Sequence, residues 1–430
     1  MDKPIKIAIA GLGTVGVGVL KVLNDNKEAI AARCGRSIEV CAISARDRTR
    51  DRGVSIEGLT WYDNPVDMAE DDNVDVVVEL IGGSDGTAKA LCEAAIENGK
   101  HVVTANKALI AHHGTALAKA AEAKGVNVSY EAAVAGGIPI IKALREGLAG
   151  NTFDRVYGIL NGTCNYMLTD MRETGRDFDV ILSEAQDKGY AEADPSFDVD
   201  GIDAAHKLAI LTSVAFGCEV NFEGVQVEGI RHVSPIDIEF AEELGYRIKL
   251  LGITSRKNGH VEQRVHPCMV SKEHPISKVE DVFNAVVVEG NFVDRAVFEG
   301  RGAGEGPTAS AVVGDLVDIA RGLSVPTFSV AADKLKKLPS SPLARHKGSY
   351  YVRLMVLDRP GVFADIACVL KEHGVSMETV VQRHHAPDKS VPLVLTLHET
   401  QEQSMLDALD GIAKLDSVVE TPRMIRIEDF

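Results

Sequence analysis

Asp203 and Lys207 stand four residues apart in a run that is otherwise apolar on nearly every side: Ile202, Ala204, Ala205, Leu208, Ala209, Ile210 and Leu211. That spacing puts both charges on one face of a helix. On a solvated face they would be an ion pair of little consequence. This helix reads as buried, however, and buried charge is costly unless it is paired or used. A lysine so placed can exchange a proton with an alcohol or carbonyl oxygen. Upstream lie Glu192, Asp194, Asp198 and Asp200, carboxylates able to hold an ammonium group; metal binding is the rival reading of that cluster. Thr104, Ala105, Asn106 and Lys107 follow a strand-like run at what should be the carboxyl edge of a sheet, where open α/β sheets bind ligands. A surface lysine is the plain alternative for Lys107. Cys164, in the polar stretch 161–165, has no histidine nearby in sequence to activate it and reads as a loop thiol.

A second chemical signature lies near the amino end. Gly11, Leu12, Gly13, Thr14, Val15 and Gly16 form a G-x-G-x-x-G between a strand-like run, Ile5–Ala10, and a helical one over 15–24. Glycines placed only for packing would give the same string, but strand before and helix after is the context that dinucleotide binding requires. Gly11 permits the tight turn, Gly13 lets a pyrophosphate approach the backbone, and Gly16 lets helix and strand lie close. The N–H groups of Thr14 and Val15 would face phosphate at the positive helix end. The carboxylate that grips a ribose diol is missing after the next strand, 38–43, where Ser44, Ala45, Arg46 and Asp47 stand. Arg46 suits a 2′-phosphate and tilts the expected cofactor from NAD toward NADP. Arg48, Arg50 and Arg52 read as a solvated charged loop.

The elements that must position these groups fall into three units. Up to about residue 130, strand-like runs (5–10, 38–43, 75–80, 101–104, 126–131) alternate with helical ones such as 87–98, which means a parallel sheet covered on both faces. A second, α+β unit follows: a helix over 139–148, a strand over 153–160, a loop over 161–165, helices through 214, then strands at 249–255, 261–265 and 296–298. The glycine-rich stretch 299–306 opens a helix, 307–321, expected to return to the first unit. Residues 331–349, rich in Lys, Pro and Ser, read as a linker. Strands at 350–357, 376–383, 391–397 and 423–427, with helices at 362–373 and 401–415, give βαββαβ, the ferredoxin-like order. The expected division is therefore 1–135 completed by 305–330, then 136–304, a linker, and 350–430. With nothing chemical in the last unit, ending the chain near Lys337 is expected to leave catalysis largely intact.

At 430 residues and a net charge of −17, the chain suits neither a single small domain nor a nucleic-acid partner. No apolar run reaches membrane-spanning length. Seven cysteines, scattered and without a C-x-x-C, point to reduced thiols. The strand-like run so near residue 1 leaves no room for a leader, and a cytoplasmic location is expected.

Taken together these motifs resemble the homoserine dehydrogenase family from end to end. They are GLGTVG at 11–16, TANKAL at 104–109, EAAVAGGIPI at 131–140, NGTCNY at 161–166, GYAEADPSFDVDGIDAAHKL at 189–208 and GRGAGEGPTASAV at 300–312. The last 80 or so residues resemble an ACT domain, with its first loop at 358–363. The resemblance implies a Rossmann-type domain, an α+β catalytic and dimerisation domain, and a ferredoxin-like regulatory domain. It implies interconversion of L-homoserine and L-aspartate 4-semialdehyde with NAD(P)H. Lys207 would be the proton donor to the aldehyde oxygen, with Lys107 beside substrate and nicotinamide. Glu192, Asp203 and Gly189 would bind substrate, and Thr104 and Gly304 would line the cofactor site. Backbone carbonyls of Glu131, Val134, Gly136 and Ile138 would hold a sodium ion. L-threonine would be the effector, bound near Asp358, Gly361 and Val362, in a homodimer or homotetramer.

Overall fold

The computed structural model describes residues 3–383, 386 and 389–430; the first two residues, on which the expectation about the chain's start partly rests, lie outside the described residues. The first unit runs β1 (Ile5–Ala10), α1 (Thr14–Asp25), α2 (Lys27–Cys34), β2 (Ile38–Ser44), β3 (Thr60–Trp61), β4 (Val76–Glu79), α3 (Thr87–Glu97), β5 (His101–Thr104), α4 (Lys107–Lys124) and β6 (Val128–Ser129). Its strands are all parallel, in the order β3-β2-β1-β4-β5-β6. Helices cover both faces, so β4 is buried throughout and its sequence is an unbroken apolar run up to Glu79. Strand order reverses between β1 and β4, which opens a crevice at their carboxyl ends beside the glycine loop.

The second unit begins with α5 (Ile140–Lys142), which continues as a π turn over Ala143–Gly147 where one regular helix was expected. It goes on through β7 (Phe153–Ile159), α6 (Gly162–Thr174), α7 (Phe178–Asp187), α8 (Ser196–Val199), α9 (Ile202–Phe216), β8 (Gln226–Val227), α10 (Pro235–Glu243), β9 (Tyr246–Lys257), β10 (His260–Ser271), β11 (Phe283–Gly290) and β12 (Asp294–Arg301). Helix α10 and strand β11 add to the elements read from the sequence. The expected loop 161–165 is the start of α6: Asn161 is its N-cap, with Oδ1 accepting the Cys164 N–H at 2.8 Å. Helix α9 lies on β7, β9 and β10. Gly252 on β9 admits Leu160 and Leu208, since a Cβ there would lie 2.7 Å from Leu160 Cδ1.

Helix α11 (Glu305–Ala320) returns to the parallel sheet as expected, where Ala309, Val312 and Leu316 share a core with Ile7, Ile9 and Val19. The last unit, β13 (Lys347–Leu357), α12 (Val362–Glu372), β14 (Met377–Val381), β15 (Ser390–Gln401), α13 (Glu402–Ile412) and β16 (Arg423–Glu428), has the ferredoxin-like strand order β16-β13-β15-β14. It is not a pendant body. Strand β16 pairs in parallel with β10, Cys268 opposite Arg426 and Val270 opposite Glu428, so the two sheets are continuous. The stretch 331–349 is held rather than free. The Val261 N–H donates to the Pro339 carbonyl at 3.0 Å, the Ser341 N–H to Val261 at 2.8 Å, and the Glu219 N–H to Lys336 at 3.0 Å. Buried charges meet across the seam: Arg264 pairs with Glu428, and Asp237 takes both Arg353 and the Tyr351 hydroxyl.

Candidate active site

Helices α9 and α4 bring the two expected lysines onto one carboxylate. The Nζ of Lys207 lies 2.7 Å from Asp203 Oδ2 and donates to the Leu160 carbonyl at 2.7 Å. Lys107, the first residue of α4, reaches the other oxygen, Oδ1, at 3.0 Å. Asn161 Nδ2 donates to Asp203 Oδ2 and to Asp198 Oδ1, both at 2.8 Å. Burial pushes the Asp203 carboxyl up, but Lys207, Lys107 and the bonds from Lys207 and Asn161 outweigh it and hold the group well below the usual carboxylate range. Asp198 moves the other way, raised by burial. A lysine has three N–H donors. Among the described residues, two of those on Lys207 are spent on Asp203 and Leu160, and the third has no acceptor. The arrangement therefore offers one oriented proton donor at the rim of a buried ion cluster.

Three features of this site were not anticipated. Asn161 ties Asp198 to Asp203; the signal available was its place ahead of a helical run, as a cap. The Phe197 ring lies 5.3 Å from Lys107 Nζ and 5.5 Å from the His206 ring. His206 stacks on Phe222 at 4.3 Å and meets His112, and burial, then His112, pulls its pKa down to about 4, so it is neutral at neutral pH. Cys164 is buried, its thiol is raised well above the ordinary range by burial, and it donates to the Asp198 carbonyl at 3.3 Å. It is a structural thiol, not a nucleophile.

The carboxylates upstream do not converge. Asp194 accepts the Ser196 N–H, Asp198 is tied to Asn161, and Asp200 pairs with Arg231. Glu192 is exposed and, among the described residues, its carboxylate bonds to neither lysine. Gly189 turns the chain before it at φ +74°. The described residues that do gather as ligands are His266, Cys268 and Glu428, but the Arg264 guanidinium already occupies that carboxylate, which leaves no room for a cation.

The glycine loop has the form that a dinucleotide needs. Gly11 turns at φ +104°, where a Cβ would lie 2.4 Å from the Leu80 carbonyl oxygen. At Gly16 a Cβ would lie 2.1 Å from the Gly11 oxygen, whereas at Gly13 it would meet nothing within 4 Å. Leu12 is buried, and among the described residues the N–H groups of Thr14 and Val15 donate to no other group. Arg46 is exposed at the end of β2. Arg52, half-buried in the expected charged loop, is tethered there: its Nε donates to the Leu12 carbonyl at 3.3 Å, and both it and Arg48 lie over Trp61. Thr104 faces inward, donating to the buried Glu79 at 2.6 Å and accepting the Asn106 N–H. It fixes the strand end from which Lys107 departs.

Gly304 caps α11 at φ +121°, and its loop packs on the stretch 131–138: a Cβ at Gly136 would lie 2.3 Å from the Gly302 oxygen. The Glu131 carboxylate accepts the Ile141 and Lys142 N–H groups, and burial, then Asp315, raises it to about 7. The Glu131 and Ile138 carbonyls each accept one backbone N–H, while among the described residues those of buried Val134 and Gly136 accept none. Buried carbonyl oxygens lacking donors fit a hard cation. In the last unit, Gly361 turns at φ +94° ahead of Val362, and Asp358 accepts the Ala386 N–H at 2.6 Å.

Comparison with known proteins agrees with this geometry. The model of the homoserine dehydrogenase NAD binding domain matches residues 11–131, that of homoserine dehydrogenase 139–317, and that of the ACT domain 350–414. A homoserine dehydrogenase of Pseudomonas aeruginosa is 46% identical over 436 residues, covering 100% of both chains. The crystal structure of one from Thiobacillus denitrificans superposes with a TM-score of 0.94 at 46% identity, covering 99% of each chain. A hyperthermophilic archaeal homoserine dehydrogenase in complex with NADPH matches 75% of this chain and 100% of its own, with a TM-score of 0.65 at 27% identity.

Proposed function

The chain belongs to the homoserine dehydrogenase family, and we propose that it reduces L-aspartate 4-semialdehyde reversibly to L-homoserine with a nicotinamide cofactor, NADP in preference to NAD. One observation carries the reading: Lys207, held by Asp203 and Leu160, keeps one N–H free beside Lys107 at the carboxyl edge of a dinucleotide-binding sheet. The bound nicotinamide supplies the hydride. Lys207 Nζ gives its free proton to the aldehyde oxygen, so that a C–H and an O–H form as the carbonyl π bond opens. In the reverse direction Lys207 takes that proton back. Lys107 places its charge near the same oxygen, and Asp203 keeps both ammonium groups aimed. Glu192, Gly189 and Asp203 are proposed to hold the amino acid end of the substrate.

Gly11, Leu12, Gly13, Thr14, Val15 and Gly16 would cradle the pyrophosphate, Thr104 and Gly304 would flank the cofactor, and exposed Arg46 would meet the 2′-phosphate. A sodium ion is proposed at the carbonyls of Glu131, Val134, Gly136 and Ile138. The ACT unit is proposed to take L-threonine at Asp358, Gly361 and Val362, where the first amides of α12 suit a carboxylate. A homodimer or homotetramer is supported by the open edge strand β12 with Val297 exposed. A cytoplasmic role in threonine and methionine supply accords with seven free cysteines. Among the described residues no helix is long and apolar enough to cross a membrane.

The test is turnover of L-homoserine with NADP or NAD, with and without L-threonine. Faster reduction of NADP, suppressed by threonine, is expected. Absence of homoserine-dependent reduction with either cofactor would overturn the reading.

A further inference from the structure

We propose that Arg426, on the last strand of the ACT unit, is a positioning residue for the catalytic cluster, acting through Glu228. The proposal rests on reading α9 as the catalytic helix. Within its own unit Arg426 is fixed by Glu402, Nε to Oε2 at 3.1 Å, and Glu402 in turn takes the Tyr350 hydroxyl at 2.8 Å. The outer nitrogens of the same guanidinium cross the seam and grip Glu228 as a fork, at 2.9 and 2.8 Å. Glu228 is anchored to β10 by its N–H, which donates to the Val265 carbonyl at 2.7 Å.

The three residues after Glu228 clasp the segment leading into α9. Gly229 lies flat against it, since a Cβ there would be 2.2 Å from the Val199 carbonyl oxygen and 2.5 Å from Asp200 Cα. The N–H of fully buried Ile230 donates to Val199 at 2.8 Å. Arg231 pairs with Asp200 through both carboxylate oxygens. Beyond that clasp come Asp198, bonded to Asn161, then Gly201 at φ +84°, packed on Val227, then Asp203 and Lys207. Each link is a hydrogen bond, an ion pair or a contact that a methyl group would break. A movement of β16 is thereby passed to residues 198–203, while the glycine loop on the other sheet lies off the path.

The experiment uses the full-length enzyme carrying Glu228→Ala or Glu228→Gln. The Glu228 side chain is 50% exposed, so its loss is tolerated, whereas removing Arg426 would strand buried Glu402. Steady-state kinetics and backbone hydrogen exchange are measured on both variants. Glu228→Ala is expected to raise the KM for L-homoserine about tenfold, within the usual range of coupling between sites, with the KM for the nicotinamide unchanged. Exchange at 199–204 should quicken while that at 12–16 does not, and Glu228→Gln, which keeps an acceptor for Arg426, should recover part of both effects. Exchange at 199–204 that stays as in the unmodified enzyme, or quickens equally at 12–16, overturns the proposal. So does a KM for homoserine that does not rise, or that rises only in step with that of the cofactor. Failure of the functional reading is separate: it would appear as an unmodified enzyme without homoserine turnover, and the exchange comparison would still decide the positioning role.

Discussion

Lys207 Nζ and Asp203 Oδ2 lie 2.7 Å apart, one turn apart on a helix whose remaining faces are buried. The pair differs from an exposed i,i+4 ion pair, because solvent screens it little and Asn161, Lys107 and Leu160 bond to all of its remaining polar groups but one N–H of Lys207. Its geometry leaves the lysine oriented and one donor short of saturation, which is what proton transfer to an aldehyde oxygen requires.

Asp203→Asn should destabilise the protein in a pH-dependent way. The folded Asp203 carboxyl titrates below its unfolded counterpart. Its contribution is therefore fully present above the unfolded value of about 3.9 and is lost as pH falls through the folded one. The variant lacks it at every pH. Thermal unfolding should show a deficit on the scale of a broken buried pair, about 3–5 kcal/mol, at neutral pH. That deficit should narrow only below about pH 4. A deficit of constant size across pH would show that Asp203 is not charged in the folded protein.

Substitutions in the glycine loop should separate folding from binding. At Gly16 an added methyl meets the Gly11 carbonyl oxygen at 2.1 Å, so Gly16→Ala should lower Tm by an overpacking cost of about 1–3 kcal/mol. At Gly13 nothing lies within 4 Å, so Gly13→Ala should leave Tm alone and weaken only the cofactor, as read by nicotinamide fluorescence titration. Unchanged affinity in Gly13→Ala would place the pyrophosphate elsewhere.

Arg46→Ala should weaken NADPH more than NADH. A charge-assisted contact contributes about 1.5–3 kcal/mol, so the ratio of the two dissociation constants should move about tenfold or more. Equal loss for both would make Arg46 structural, the part that Arg52 already plays through Leu12.

Ending the chain near Lys337 should not give a clean catalytic core, contrary to what the linker-like composition of 331–349 suggests. Truncation removes Arg353 and Tyr351 from Asp237 and Glu428 from Arg264, and it strips β10 of its partner strand β16, baring an edge that the full chain covers. The expected outcome is aggregation or a large loss of Tm in a thermal scan. A truncated protein that melts like the full chain would show that the seam contributes little.

Local features were legible in the sequence and distant ones were not. The period of α9, the string 11–16 with its flanking strand and helix, and the βαββαβ order of the last unit each follow from neighbours along the chain. The pairing of β16 with β10 joins residues more than 150 positions apart and leaves no local trace. Asn161 reads as loop in the sequence because its role, capping α6 while bridging Asp198 and Asp203, depends on a helix start and on a partner 42 residues away. Lys, Pro and Ser in 331–349 describe a chain with only two short turns before β13 begins at Lys347, which is compatible with being pinned along β10 by its backbone.

Turnover of Lys207→Ala tests the central claim most directly. The variant should bind the nicotinamide as the unmodified enzyme does, because Lys207 lies outside the glycine loop, and should oxidise L-homoserine about 100-fold or more slowly, the usual scale for losing an acid–base group. Homoserine oxidation at the unmodified rate, with cofactor binding intact, would contradict the assignment of Lys207 as the proton donor.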